Sequence, residues 1–331
     1  MQAIIVSEQE AGQRLDKFLQ KYLNLAPKSF LYKMMRKKNI VLNGKKAEGS
    51  EKISLQDEIR LYLSDETIAG FRKQQKVAPY RKLDILYEDD QVLIVNKPAG
   101  MLSQKAREED VSLNEYVISY LIHEKKMTEA SLATFKPGIC NRLDRNTSGL
   151  VLAGKTVAGL QEMGMLLRER RVHKYYLCLV HGEVKRGRRV RGYLHKNEKC
   201  NKVEIDKEKK PGASYIETVY EPLAGNKQVT LLKVLLVTGK THQIRSHLAA
   251  CGHSIIGDEK YGDRRLNEKF RAKYGVRHQL LHSWRLCFPQ LKHPFEGLSS
   301  KKVEAPLPEI FDRILGGEQL GGVDFYENIV E

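Results

Sequence analysis

Apolar positions recur at helical spacing twice near the start of the chain. Leu15, Phe18, Leu19, Tyr22 and Leu23 form one stripe; Phe30, Leu31, Met34 and Met35 form another after Pro27, with Ser29 as the expected N-cap. Two short amphipathic helices are predicted, and Lys33, Arg36, Lys37 and Lys38 fall on the side of the second away from its apolar stripe. The next segment, IVLNGKK, reads as a strand closing on an Asn43–Gly44 turn, and EIRLYL alternates so that Ile59, Leu61 and Leu63 share a face. Residues 64–82 show no period and many charges, which predicts a flexible linker after a first domain at 1–63.

From residue 83 the pattern changes. Short β-rich runs (QVLIVNK, GLVLAGKT, KYYLCLVHGEV, VTLLKVLLVTG) alternate with the helical stretches SLNEYVISYLIHEKK and VAGLQEMGMLLRER. Hairpin-like spacing, rather than regular βαβ units, predicts an α+β domain over residues 83–310 with a mixed, largely antiparallel sheet and flanking helices. Residues 311–331 are left as a C-terminal tail.

Composition narrows the partner. No window approaches the roughly 18 apolar residues of a membrane span. The start, MQAIIVSEQEAGQRL, lacks the basic segment, apolar run and small-residue cleavage site of a signal peptide, so a cytoplasmic location is expected. Cys140, Cys178, Cys200, Cys251 and Cys287 are scattered without a C-x-x-C pair, which favours structural thiols over a disulfide framework or zinc cluster. The formal net charge of +16 is concentrated in two blocks: residues 1–63 hold 12 Lys+Arg against 7 Asp+Glu, and residues 168–210 hold 15 against 6. Clustered cations release condensed counterions together when they meet phosphates, so this distribution points to nucleic acid rather than to a diffusely basic surface.

In NRLDRNTSGLVLAGKT, Asp144 stands between Arg142 and Arg145. Taken alone, such a carboxylate reads as a surface ion pair as readily as a catalyst, and the same holds for Arg245 in GKTHQIRSH. Thr147, Ser148 and Gly149 are expected to shape the loop after Asp144, a hydroxyl donating to backbone. His242 and His247 lack a third ligand at recognisable spacing, so no metal site is expected. Gly239-Lys240-Thr241 lacks the P-loop spacing, and the absence of a G-x-G-x-x-G loop argues against a methyltransferase.

In chain order, RLDKFL, MRKKNIVLNGKK and DEIRLYL resemble the S-four-type RNA-binding domain over residues 12–63, with Asp57-Glu58 where that family usually has Gly-Asp. The strings YEDDQVLIVNKPAG, NRLDRNTSGLVLAGKT, RVHKYYLCLVHG, VTGKTHQIRSHLAACGHSIIGDEKYGD and LLHSWRLCFP resemble the RluA-type pseudouridine synthases over about residues 83–290. The first resemblance implies a docking module whose Arg36, Lys37 and Lys38 lie along a phosphate backbone. The second implies Asp144 as the catalytic residue, Arg245 as its bidentate partner, and Lys174 and Tyr176 as the K-x-Y pair. A Tyr there stacks on the target uracil and takes part in proton transfer from carbon 5, while Tyr175 points the other way along a strand. Arg142 matches a residue that enters the space vacated by the flipped nucleotide.

The implied reaction detaches uracil at nitrogen 1, turns it and rejoins it through carbon 5. The carboxylate either attacks the anomeric carbon or abstracts a proton there. Both roles use the ionised form, which aspartate adopts at neutral pH without a separate base. The resemblance further implies no cofactor and an RNA substrate, large-subunit ribosomal RNA being favoured and transfer RNA the alternative. Asn141, Ser246 and Ser254 stand where the family commonly has His, Val and Pro, departures that bear on subfamily and target rather than on the chemistry.

Overall fold

The computed structural model describes residues 1–73, 76–197, 202–206 and 208–320; Cys200 and the end of the expected tail lie outside them. The chain forms two compact units, one of residues 1–95, 103–142 and 151–165, the other of residues 96–102, 143–150 and 166 onward.

The first unit opens with β1 (Gln2–Ile5), α1 (Leu15–Tyr22), α2 (Lys28–Arg36), β2 (Ile40–Leu42), β3 (Lys45–Lys46), β4 (Glu58–Leu61) and α3 (Asp65–Gly70). Its small sheet is antiparallel, in the order β1-β4-β2-β3. Asn43 and Gly44, at φ 50° and 72°, form the two-residue turn between Leu42 and Lys45, both in the left-handed region that such a turn demands. Leu15, Phe18, Leu19, Leu31, Met35, Ile59 and Leu61 fill the core beneath, as the two stripes and the alternation predict.

Three expectations are corrected here. The sheet gains β1, too short and too half-exposed to announce itself by alternation. Helix α2 starts at Lys28 behind Pro27, whose φ of −60° and extended ψ set the entry without a side-chain cap, so Ser29 lies inside the helix. Residues 64–82 are not wholly a linker: Ser64 caps α3 by accepting from Thr67 N, and Ile68 is buried in the same core. The module is also tied to the rest of its unit, since Thr134 Oγ1 donates to Glu10 Oε1 at 2.5 Å and Gln9 Nε2 to Lys126 O at 3.1 Å.

The unit continues with β5 (Ile85–Glu88), β6 (Val92–Lys97), α4 (Leu113–His123), β7 (Gly138–Ile139), β8 (Ser148–Gly154) and α5 (Val157–Arg168), the last residues of β6 and α5 and the first of β8 belonging to the second unit. Ser112 and Glu115 close a capping box at the head of α4. All seven residues of β8 are buried, the near-continuous apolar run of a central strand.

In the second unit, β9 (His173–His181), β10 (Arg188–Asn197), β11 (Lys202–Asp206), β12 (Ser214–Gly225), β13 (Val229–Leu236) and β14 (Leu281–Cys287) stand in the order β11-β10-β12-β13-β9-β14, antiparallel throughout. β14 also carries β15 (Lys302–Glu304) and runs parallel to the first residues of β8. Helices α6 (Gln243–Ala250), α7 (Arg264–Tyr274) and α8 (Glu309–Gly317) complete it. Helix α8 corrects the expected tail: Phe311, Ile314, Leu315 and Leu320 pack with Leu177, Leu231, Phe270 and Trp284 in one core. Tyr175 packs against that core, so Tyr176 takes the other face of β9, as strand alternation requires.

Candidate active site

Asp144 sits in a turn closed by Thr147 N donating to Asp144 O at 3.0 Å, just ahead of β8. Two donors hold the turn from outside: Gly100 N and Lys97 Nζ both reach Arg145 O, at 2.9 and 3.1 Å. Lys97 is fully buried and also donates to Pro98 O and Met101 O, each at 2.9 Å, so three carbonyls match the three protons of an ammonium. Burial pushes Lys97 down to about 7, against the pull of the Asp144 charge.

Gly149 then fixes where the turn lies. Its φ is 105°, and a Cβ there would stand 2.1 Å from Ser283 O, so only glycine permits β8 to run this close to β14. Ser283 pairs in turn with Tyr176 across the β14–β9 ladder, which brings the Asp144 turn beside the tyrosine strand. Thr147 and Ser148 act differently from expectation. Thr147 Oγ1 accepts from Gln279 Nε2 at 3.2 Å and Ser148 Oγ pairs with His282 Nδ1 at 2.8 Å, side chains rather than backbone, the turn itself being closed by a main-chain bond.

Helix α6 delivers Arg245. It follows His242, which takes the left-handed conformation at φ 56°, and Gln243 locks the first turn by accepting from Lys240 N at 3.1 Å while donating to Glu217 O at 3.0 Å. Arg245 Nη1 donates to Asp144 Oδ2 at 2.7 Å, whereas Nε and Nη2 grip Asp258 Oδ2 and Oδ1 at 2.7 and 2.9 Å. The bidentate pairing expected with Asp144 is thus corrected: the fork belongs to Asp258 and a single nitrogen is left for Asp144. Asp258 is fully buried, and its Oδ1 also accepts from Lys260 N and Tyr261 N at 2.9 and 3.1 Å. Burial by itself would raise the Asp258 carboxyl, but hydrogen bonds from Arg245 hold it below the usual carboxylate range. Burial likewise opposes the Arg245 charge, and Asp258 and then Asp144 overcome it, holding the guanidinium above its ordinary value.

Tyr176 is buried, and burial pushes its phenol up to about 12; the Ser283 hydroxyl opposes the rise and the Asp144 charge adds to it. Tyr261 OH accepts from Val203 N at 2.9 Å and lies 3.0 Å from His242 Nδ1, while His242 Nε2 is 3.8 Å from Asp144 Oδ2. Burial lowers His242, against the pull of Asp144, so the ring approaches the carboxylate as neutral imidazole rather than as an ion-pair partner. Lys174 is half-buried beside Gly239, whose added Cβ would stand 3.3 Å from Lys174 Nζ; burial and then Arg170 lower its pKa.

The second unit therefore brings together Asp144, Arg245 and Tyr176 and adds Asp258 and Lys97, which the residue pattern did not single out, and His242, which it weighed only as a metal ligand. Arg142 is exposed two positions before Asp144, and Arg36, Lys37 and Lys38 are exposed at the end of α2 in the first unit. Asn141, the first departure, accepts from Leu152 N at 2.8 Å, and Ser246 Oγ donates to His242 O at 3.1 Å.

A half-buried carboxylate held by an arginine stands beside a buried tyrosine on a large, mostly antiparallel sheet, and the comparisons with known proteins name the class of enzyme to which this arrangement belongs. Residues 91–250 match the RNA pseudouridylate synthase family. The chain is 32% identical over 323 residues to the ribosomal large subunit pseudouridine synthase C of Vibrio vulnificus (strain CMCP6), covering 95% of this chain and 96% of that one. It is 33% identical to the protein of that name from Pasteurella multocida (strain Pm70), covering 95% and 92%, and 32% identical to that of Escherichia coli (strain K12), covering 94% and 95%. Of solved structures, the human RNA pseudouridylate synthase domain containing 4 superposes with a TM-score of 0.57 at 21% identity, over 72% of this chain and 94% of that one. The chain belongs to the RNA pseudouridylate synthase family.

Proposed function

We propose that this enzyme converts specific uridines of large-subunit ribosomal RNA to pseudouridine, with Asp144 as the catalytic carboxylate. The observation that carries this reading is the Asp258–Arg245–Asp144 chain of charge-assisted bonds. It engages Asp144 through Oδ2 and leaves Oδ1 without a protein donor among the described residues, ready for the anomeric carbon or the proton beside it. The substrate is the one in the names of the 32–33% identical relatives, which this chain matches over 94–95% of its length.

Each remaining residue takes a role consistent with its place. Tyr176 meets the flipped uracil with its ring. As a base it would start from a phenol at about 12, a cost of roughly 7 kcal/mol at neutral pH, so stacking and hydrogen-bond donation are its resting functions. Arg142 enters the space the nucleotide leaves, Lys174 meets the backbone of the bound strand, and Arg36, Lys37 and Lys38 dock RNA without taking part in the chemistry. The first seventy residues then serve as an S-four-type docking module. Detaching and rejoining the same base is an isomerisation that adds no atom and transfers no electron, so it calls for no cofactor.

The test is Asp144→Asn incubated with unmodified ribosomal RNA, and separately with transfer RNA, pseudouridine being mapped by chemical labelling. Modification by the parent enzyme in ribosomal RNA and none by the folded variant is the expected result. Modification by the variant at the parent rate would move the site elsewhere, and modification of transfer RNA alone would move the substrate.

A further inference from the structure

A cavity of about 700 Å³ opens in the second unit between residues 96–99, residues 275–280 and residues 306–313. Its size falls in the range of roughly 300 to 1,000 Å³ typical of built ligand sites. Its polar lining includes Asn96, Lys97, Ser148, His278 and Gln279, and two of these side chains hold the turn carrying Asp144: Lys97 Nζ bonds Arg145 O at 3.1 Å and Gln279 Nε2 bonds Thr147 Oγ1 at 3.2 Å. Pro98, Leu307, Ile310 and Phe311 make an apolar wall.

Charge gathers at the rim. Arg277 and Arg313 are both exposed, and neither makes an ion pair among the described residues; Glu309 is the single carboxylate that lines the cavity. Exposed arginines left uncommitted beside an apolar wall fit a ligand with a flat apolar body and an anionic group. A nucleotide has that chemistry, its base seeking a dry face and its phosphate a guanidinium. Lys97 and Gln279 bond the Asp144 turn directly, so an occupant of the cavity lies against side chains that hold that turn in place.

We propose that this cavity receives an unpaired nucleotide of the substrate RNA next to the target, its base against Pro98, Leu307 and Ile310 and its phosphate on Arg277 and Arg313. The proposal rests on the reading of the protein as an RNA-modifying enzyme and adds a second nucleotide subsite to it.

The test uses the full chain, ribosomal RNA and three variants. Arg277→Ala/Arg313→Ala should raise the half-saturating RNA concentration about tenfold and lower the salt slope of binding by about one, as expected for one phosphate no longer neutralised. Most of that loss should fall on half-saturation rather than on the single-turnover rate at saturating RNA. Ala99→Trp, which fills the mouth from an exposed position, should weaken binding without changing the salt slope. Arg264→Ala, on a side chain 92% exposed and outside the cavity, should leave half-saturation where it was. RNA carrying 4-thiouridine around the target should crosslink to residues 306–313 in the parent enzyme and lose that crosslink in Ala99→Trp. Unchanged half-saturation and slope in the double variant, or crosslinks confined to other segments, would overturn the subsite while leaving the parent's activity to stand. A parent enzyme that binds ribosomal RNA but forms no pseudouridine would overturn the functional reading and the subsite with it.

Discussion

Arg245 grips Asp258 with two nitrogens, at 2.7 and 2.9 Å, and spares one for Asp144. The buried Asp258 thereby sets the guanidinium plane, and the plane sets where Asp144 is met. Asp258→Asn keeps the shape but removes the charge and one acceptor, and breaking a buried pair typically costs about 3 to 5 kcal/mol. The expected outcome is a less stable enzyme whose single-turnover rate falls at least tenfold while half-saturating RNA moves by less than threefold. Arg245→Lys should do the same, since an ammonium cannot span both carboxylates in the fork geometry. Rapid-quench kinetics checks this; an effect confined to RNA binding would show that Asp258 supports the fold and nothing more.

Arg36, Lys37 and Lys38 stand exposed at the C-terminal end of α2, where cations also suit the helix dipole. Their replacement by Gln should leave the melting temperature within a degree or two. If all three meet phosphates, the log–log salt slope of RNA binding should drop by about two to three. Truncation of the module is the poorer experiment, because it would strip Glu10 from Thr134 within the same unit. Binding isotherms at several salt concentrations decide the matter, and an unaltered slope would rule these residues out of the interface.

Local chemistry explains what could be read from the residues alone. The helical stripes, the Asn43–Gly44 turn and the face taken by Tyr176 follow from periods of a few residues, and the structure has all three. Asp144 and Arg245 are 101 positions apart, so their meeting depends on the β8–β14–β9 pairings that no local period encodes. Asp258 lies in the IGDEKYGD string but carries nothing to mark it until its surroundings are known: a surface carboxylate and a fully buried one look identical in sequence. Helix α8 shows the opposite lesson. Phe311, Ile314 and Leu315 have helical spacing, yet a helix of nine residues following prolines reads as a tail until a core is found to receive it.

Two buried imidazoles give the second unit a pH dependence. His247 donates to or accepts from Thr218 Oγ1 at 2.9 Å, His282 pairs with Ser148 Oγ, and burial pushes both down to about 4. Their folded values lie below the ordinary 6.5, so the unfolded chain binds more protons between about pH 4 and 6.5. The stability they lend is complete above about pH 6.5 and is lost as pH falls, by roughly 2 kcal/mol apiece at pH 5. Urea unfolding from pH 7.5 to 4.5 should show this loss. A His247→Gln/His282→Gln variant should be less stable at pH 7 yet lose less on acidification; parallel curves for the two proteins would place the acid sensitivity in other groups.

Tyr176 presents the sharpest distinction between stacking and proton transfer. Tyr176→Phe preserves the ring in its buried place between Val234 and Ser283 on the neighbouring strands, and removes only the hydroxyl. Tyr176→Leu removes the flat face as well, and base–aromatic stacking is worth about 1 to 3 kcal/mol per base. If the ring alone matters, Phe should react at close to the parent rate and Leu should lose about 10- to 100-fold in the rate at limiting RNA. If the hydroxyl also serves the step at carbon 5 by donating a hydrogen bond to the uracil as that proton leaves, Phe should bind RNA normally and yet form product at least tenfold more slowly. The expected outcome is the second, because a phenol at about 12 remains a protonated donor through the whole working range. Single-turnover product formation over pH 6 to 9 makes the decision: a Phe variant at full speed throughout that range would leave Tyr176 with stacking as its sole part in the reaction.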